Sequence, residues 1–262
     1  MDMDAIIKTV LDSFAPLSLD DLNAKAAMLE RLDNKYIVPA TRFRPALEGF
    51  AQHFDVLEID GKRAFTYATT YYDDPELRGY YDHHQGRRKR CKVRVRDYLD
   101  AGFSYLEVKL KDKREATIKK RLKLTAPENG LDRGAMDFVD ACHRDLYEEP
   151  FDKPLAPVIG MQYERITLVA KAGAERMTID TALCFQAANV TRIVRPDMFI
   201  IETKSARGNG IADKILRAKH LHPTKRCSKY CIGMAATEQV ARRNRFLPAL
   251  RRLDLLSPTA TA

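Results

Sequence analysis

Between Arg87 and Leu124 the sequence returns repeatedly to one pattern, a charge at every second residue, and this alternation constrains the fold more than any other feature. In Lys92-Val93-Arg94-Val95-Arg96 bases and valines alternate. An extended chain sends alternate side chains to opposite faces, so Lys92, Arg94 and Arg96 share one face of a strand. The pattern returns with Glu107, Lys109 and Lys111 set against Leu106, Val108 and Leu110, and again with Lys119, Arg121 and Lys123 set against Ile118, Leu122 and Leu124. A helix over the first segment would scatter bases and valines around its surface, and β-branched residues suit it poorly. Like charges on neighbouring strands repel. Such a sheet either turns its cationic face to water or lines a site built for a polyanion.

The rest of the composition bears on which. The 262 residues carry a formal net charge of +9 with a pI near 9.3, which points to acidic partners: nucleic acid, anionic lipid or phosphate-rich small molecules. Hydrophobic residues make up 45% of the chain, enough for a buried core in one large domain or two small ones. Five cysteines without a CxxC pair argue against a disulfide framework. The opening MDMDAIIKTVLDSF carries acids where a secretion signal carries bases, and no apolar run approaches the ~18 residues a membrane span needs. The expectation is a cytoplasmic protein, peripheral at most to the inner face of a membrane.

In chain order, Ile6, Ile7, Val10, Leu11 and Phe14 predict an amphipathic helix, followed by a short helix capped by Ser18 with Leu22 facing inward. Glu30 to Val38 reads as a strand with Arg31, Asp33 and Lys35 on one face, closed by Pro39. Thr41 to Phe54 predicts a helix, Ala64 to Tyr72 a strand, and Arg78 to Arg90 an exposed basic loop holding His83 and His84. Leu131 to Leu146 has helical spacing, and Pro150, Pro154 and Pro157 follow as a rigid connection. Charged strands recur at Gln162 to Leu168, Glu175 to Asp180 and Met198 to Lys204. Helices are predicted over Ile211 to Lys219 and Ala235 to Phe246, with a basic stretch from Lys225 to Lys229.

Arg31-Leu32-Asp33-Asn34-Lys35-Tyr36, Tyr71-Tyr72-Asp73, Lys92-x-Arg94-x-Arg96-x-Tyr98, Leu106-Glu107-Val108-Lys109, Glu202-x-Lys204 and Ser228-Lys229-Tyr230 occur in this order. Together they resemble the VTC domain, the polyphosphate polymerase domain of the vacuolar transporter chaperone family, a branch of the CYTH-like triphosphate tunnel metalloenzymes. The resemblance implies an α+β fold: an antiparallel β-barrel forming a tunnel, with charged side chains inside and helices packed outside. It divides the chain into an N-terminal helical segment (1–28), the tunnel domain (29–233) and a C-terminal basic helix and tail (234–262).

It also implies transfer of the terminal phosphoryl group of ATP to a growing polyphosphate chain, with Mn2+ or Mg2+ as cofactor. Such a transfer needs charge neutralisation and in-line alignment more than covalent help. The resemblance assigns Arg94, Arg96, Lys109, Arg165 and Arg176 to the reacting phosphates, and Lys35, Lys92, Lys119, Arg121, Lys204 and Lys229 to phosphate binding. Glu202 is the first expected metal ligand and Glu107 the second, since hard cations take carboxylate oxygen. The wider superfamily carries Glu-x-Glu-x-Lys on its first strand, where this sequence has Arg31-x-Asp33-x-Lys35. The lost carboxylate argues against the triphosphatase and cyclase branches. Coupling to transport would require a separate membrane protein as partner.

Two other readings stand beside polymerisation: hydrolysis of a triphosphate in the same tunnel, and a module that binds polyphosphate or nucleotide without turnover. Nucleic acid is disfavoured, because base stacking asks for aromatics between the charges and these strands carry Val, Ile and Leu there. His220, His222, Cys227 and Cys231 match no common zinc spacing and read as loop and core. Arg242, Arg243, Arg245, Arg251 and Arg252 read as a solvated helix face, or as a surface for anionic lipid or long polyphosphate.

Overall fold

The computed structural model describes residues 11–25, 32–111, 117–124 and 130–256. Its frame is an antiparallel sheet in the order β2-β11-β9-β8-β4-β5-β6-β7. These strands span Leu32–Pro39 (β2), Ala64–Asp73 (β4), Arg90–Tyr98 (β5), Phe103–Lys111 (β6), Thr117–Leu124 (β7), Ala156–Ala170 (β8), Arg176–Ala187 (β9) and Met198–Ser205 (β11). Three short strands extend it: β1 (Pro16–Leu17) pairs β3 (Phe54–Leu57), β3 pairs β8, and β10 (Val190–Ile193) pairs β9. The helices are α1 (Leu19–Lys25), α2 (Ala40–His53), α3 (Arg78–Gln85), α4 (Arg133–Tyr147), α5 (Ile211–Ala218), α6 (Lys229–Ala236) and α7 (Leu247–Arg252).

The alternation dictates which face meets what. Val93, Leu106, Val108 and Leu110 pack against Ala135, Val139 and Cys142 of α4. Tyr36, Ile166, Ile179 and Ile201 do the same against Phe43, Leu47 and Phe50 of α2 and Leu216 of α5. One face of each strand therefore carries helices, and the other faces inward. The expected barrel is realised as a curled sheet: β2 and β7, at the ends of the order, are not hydrogen-bonded to each other. The curl is evident from charge. Lys109 on β6 feels Lys35 on β2 and Glu202 on β11, although β6 and β2 stand six ladder steps apart in the strand order; a flat sheet at ~4.8 Å per step would separate them by about 29 Å.

Helix α6 lies on the concave side. The inward residues Ile37, Tyr71, Ile159, Met161, Tyr163 and Ile200 share a core with Tyr230, Cys231 and Met234 of α6 and Leu250 of α7. All seven residues from Tyr230 to Ala236 are buried, as expected for a helix that is apolar all round. Gly233 permits this seating, since a Cβ there would stand 2.6 Å from Ile159 Cδ1 and Phe185 Cδ1. A plug therefore fills part of the trough and leaves the remainder to the charged residues.

Several sequence expectations need correction. Arg78 to Arg90 is not an exposed loop. Its first part is α3, whose first N–H groups at Gly79 and Tyr80 donate to the buried Asp73 carboxylate at 2.9 and 3.0 Å, and His84 is buried. Ala235 to Phe246 is not one helix. It comprises the end of α6, an irregular turn through Glu238 in the left-handed region, and a 3-10 turn at Asn244–Phe246. The arginines 242–245 consequently leave a bend rather than a helix face. Pro157 belongs to β8 rather than to a connection. Ile6, Ile7, Val10 and Arg31 lie outside the described residues. Among the described residues no helix is long and apolar enough to cross a membrane.

Candidate functional site

Three carboxylates organise the charged part of the trough, Glu107 and Asp180 buried and Glu202 partly exposed, each holding cations from neighbouring strands. Glu107 stands opposite Arg94 in the β5-β6 ladder and opposite Arg121 in the β6-β7 ladder. Its Oε2 accepts from Arg94 Nε at 2.6 Å, lies 2.5 Å from Nη2 and 3.9 Å from Arg96 Nη1, and its other oxygen is paired with Lys119. Burial alone would raise the Glu107 carboxyl, but Arg94, Arg96 and Lys119 hold it well below the usual carboxylate range. Arg94 Nη1 also donates to Tyr71 Oη at 2.7 Å. The arginine fork is thus fixed before any ligand arrives.

Asp180, on the same face of β9, is the most enclosed of the three. It accepts from Arg165 Nε and Nη2 at 2.6 and 2.8 Å and from Lys229 at the start of α6. Burial works against its charge, yet these two cations bring it down to about 2. Sequence reading placed Asp180 on a charged strand and gave it no role. The signal was present in Arg176-x-Thr178-x-Asp180, where the acid falls on the tunnel face.

Glu202 forms the third centre. It pairs with Lys204 at 2.9 Å and with Lys35, its ladder partner across β2, at 3.6 Å. Burial opposes its charge, and Lys204, Lys35, Lys109 and Arg165 together lower it well below the ordinary value. Lys204 is pushed down to about 8 by burial despite Glu202, and Lys119 also to about 8 by burial despite Glu107. Lys109 is lowered by burial and by Lys35, yet its side chain remains accessible to water. Enclosed by protein but reachable by solvent, Lys109 and Lys119 describe a hollow rather than a packed core.

The remaining expected residues take graded positions. Arg176 stands beside Lys204 in the β9-β11 ladder on the tunnel face. Lys92 is on that face too, with its ammonium 2.9 Å from Ser228 Oγ at the cap of α6. Arg121 is exposed on the edge strand β7, 5.0 Å above the Tyr105 ring. The structure therefore brings Arg94, Arg96, Lys109, Lys119, Arg165, Lys204, Lys35 and Lys229 around one trough, with Arg121 at its rim.

Aromatic residues complete the lining, and sequence reading missed them. Tyr67 stacks on Tyr163 with ring centroids 5.6 Å apart, and Arg96 and Arg165 lie 5.6 and 5.5 Å from the Tyr67 ring. Four buried polar atoms on the concave face have no hydrogen-bond partner among the described residues: Thr69 Oγ1, Arg96 Nε, Tyr163 Oη and Thr178 Oγ1. Each such group costs ~1–3 kcal/mol if left unsatisfied. Their gathering among cations suits an oxygen-rich anion that accepts from all of them.

A metal ion would be held here by a carboxylate with waters and phosphates rather than by a cage of protein ligands. Among the described residues no three His, Cys, Asp or Glu side chains gather as a cation cage. Glu107 has both oxygens engaged by Arg94 and Lys119. Glu202 is the better donor, since a divalent ion bound through one carboxylate, waters and substrate phosphates needs no protein cage.

A family model, the VTC domain, matches residues 30–238. No curated protein gives a significant match. Among solved structures the chain is similar to a putative adenylyl cyclase from Hippeastrum described as having a dominant triphosphatase activity (11% identity, 80% of this chain and 97% of that one, TM-score 0.48). It is also similar to a putative adenylate cyclase from Vibrio parahaemolyticus (12%, 78% and 97%, 0.40) and to a conserved hypothetical protein from Pyrococcus furiosus (11%, 74% and 92%, 0.41).

Proposed function

The chain belongs to the VTC domain family, and from that premise we propose that it is a metal-dependent phosphotransferase which moves the terminal phosphoryl group of ATP onto a polyphosphate chain inside the trough. The observation that carries this reading is the convergence of Arg94, Arg96, Lys109, Arg165 and Lys204 on one concave face, together with buried donors that lack partners. A triphosphate supplies what that face lacks: dense negative charge and acceptor oxygens.

Arg94 and Arg165 are held by Glu107 and Asp180 and present a fixed charge to equatorial oxygens, which needs no reorganisation when charge spreads in the transition state. Lys109 and Lys119, lacking such rigid forks, neutralise as point charges. Arg96 Nε, Thr69 and Tyr163 donate to non-bridging oxygens. Glu202 is the residue that would hold Mn2+ or Mg2+ against the phosphates, and the ion there would neutralise charge on the phosphate oxygens. Arg176 and Lys204 extend the contact along β9 and β11.

The test is turnover of ATP with Mn2+ or Mg2+, following ADP, free phosphate and long-chain polyphosphate in the wild type, Glu202→Ala and Arg94→Ala. The expected result is ADP with polyphosphate, lost in both variants. ADP accompanied only by free phosphate would replace the proposal with hydrolysis. Tight triphosphate binding without turnover would leave a binding module.

A further inference from the structure

Outside the trough, the bend at residues 241–247 and the end of α3 enclose a cleft of about 860 Å3, lined by His84, Arg242, Arg243, Asn244 and Arg245 among others. Every formally charged residue in its lining is a cation. Arg245 Nη1 donates to the His84 carbonyl at 2.6 Å, and Arg243 Nη1 donates to the Ala235 carbonyl at 3.2 Å and lies 3.4 Å from Glu238 Oε1, so Arg242 and Arg245 carry the charge that no carboxylate among the described residues offsets. Each keeps further N–H groups for a ligand. The Arg242 side chain is exposed and makes no hydrogen bond or ion pair among the described residues. His84 Nε2 and Asn244 Oδ1 stand 2.8 Å apart, closing the wall. The segment falls beyond the residues matched by the family model.

The cleft adjoins one mouth of the trough. Next to His84, the His83 ring stacks on Phe246 with centroids 6.1 Å apart. Burial first, then the nearby charges of Lys92, Arg90, Lys109 and Lys111, push His83 down to about 2, so α3 separates the cleft from the cationic end of β5 and β6 with a neutral side chain. Arg94, Lys92 and Arg90 share a strand face over about 13 Å of chain at ~3.3 Å per residue. The row ends at Arg90, shortly after Gly86, where a Cβ would stand 3.8 Å from Arg245 Nη1, so its outer end lies near the cleft.

We propose that this cleft is a second polyanion site that holds the part of a polyphosphate chain lying outside the trough, so that long chains bind more tightly than triphosphate. The inference rests on the polyphosphate reading above and deepens it. A membrane surface fits less well: among the described residues no large exposed hydrophobic side chain lies in residues 83–90 or 241–247, where an interfacial site would insert one.

The experiment compares binding of tripolyphosphate, of polyphosphate several tens of units long, and of phosphatidylglycerol vesicles to the wild type, Arg242→Gln and Arg242→Gln/Arg245→Gln. The single variant removes only an exposed side chain and guards against misfolding. Expected are unchanged tripolyphosphate affinity in both variants, and long-chain affinity reduced about threefold in the single and about tenfold in the double variant, the latter equal to ~1.4 kcal/mol. Unchanged long-chain affinity with tripolyphosphate still bound would overturn the cleft alone. Loss confined to vesicle binding would overturn it in favour of a lipid site. Absence of tripolyphosphate binding in the wild type would instead overturn the trough reading on which it rests.

Discussion

Replacing Asp180 by Asn keeps the shape of the side chain and removes its charge. In the folded protein Arg165 and Lys229 then face a neutral amide, with their side chains only 14% and 13% exposed. Removing one partner of a buried ion pair costs ~3–5 kcal/mol. Some water reaches both cations, so the lower end applies, about 3 kcal/mol. For a domain of this size that corresponds to a melting temperature lower by roughly 6–12 °C. A bound triphosphate returns negative charge to the same cations, so tripolyphosphate should raise the melting temperature of Asp180→Asn by more than that of the wild type.

The pH dependence has a definite sign. The folded carboxyl, despite the burial that opposes it, sits at about 2 against an ordinary 3.8. Its stabilisation is therefore fully present above about pH 4 and lost as pH falls through 2. The gap between variant and wild type stays constant from pH 5 to 7. The assay is thermal and urea unfolding with and without tripolyphosphate. A variant within about 1 kcal/mol of wild type, or one that tripolyphosphate rescues no better, would refute the assignment of Asp180 as the buried counter-charge of the binding cations.

Lys119 and Lys204, both pushed to about 8 by burial, should make triphosphate affinity fall as pH rises above 8, with proton uptake on binding visible as a buffer-dependent enthalpy; affinity independent of pH from 7 to 9.5 would contradict this. Tyr230→Phe removes the hydroxyl that donates to buried Asp73 and should lower stability by ~1–3 kcal/mol in urea unfolding, because the Asp73 carboxylate loses one donor. Gly233→Ala pushes a methyl against Ile159 and Phe185 and should cost ~1–3 kcal/mol; an unchanged midpoint would mean that α6 is not seated inside the sheet.

The strands of the trough were legible because alternation of charge with Val, Ile and Leu has period two, and period two survives folding unchanged. Lys92 to Arg96, Glu107 to Lys111 and Glu202 to Lys204 all lie on the expected face. The helices facing them followed from 3.6-residue spacing. What escaped was whatever depends on long-range packing. Helix α6 carries no amphipathic signal because it is buried on every side, so nothing local announces that it enters the sheet. Helix α3 is stabilised by Asp73, an acid the sequence placed in the Tyr71-Tyr72-Asp73 motif without linking it to a helix. Asp180 lay on a charged strand with no role of its own, because its partners Arg165 and Lys229 come from β8 and α6. Tyr67 and Tyr163 line the site through pairing in the β4-β8 ladder, a register no single strand reveals.

The decisive measurement follows the γ-phosphoryl group itself. The protein is incubated with ATP labelled at the γ position, unlabelled polyphosphate and Mn2+, and the label is traced by chain length. Phosphoryl transfer in the trough predicts label in long-chain polyphosphate, with ADP formed in equal amount and both lost in Arg165→Ala. Label recovered only as free phosphate, or ATP left intact while the protein binds it, would contradict the transfer.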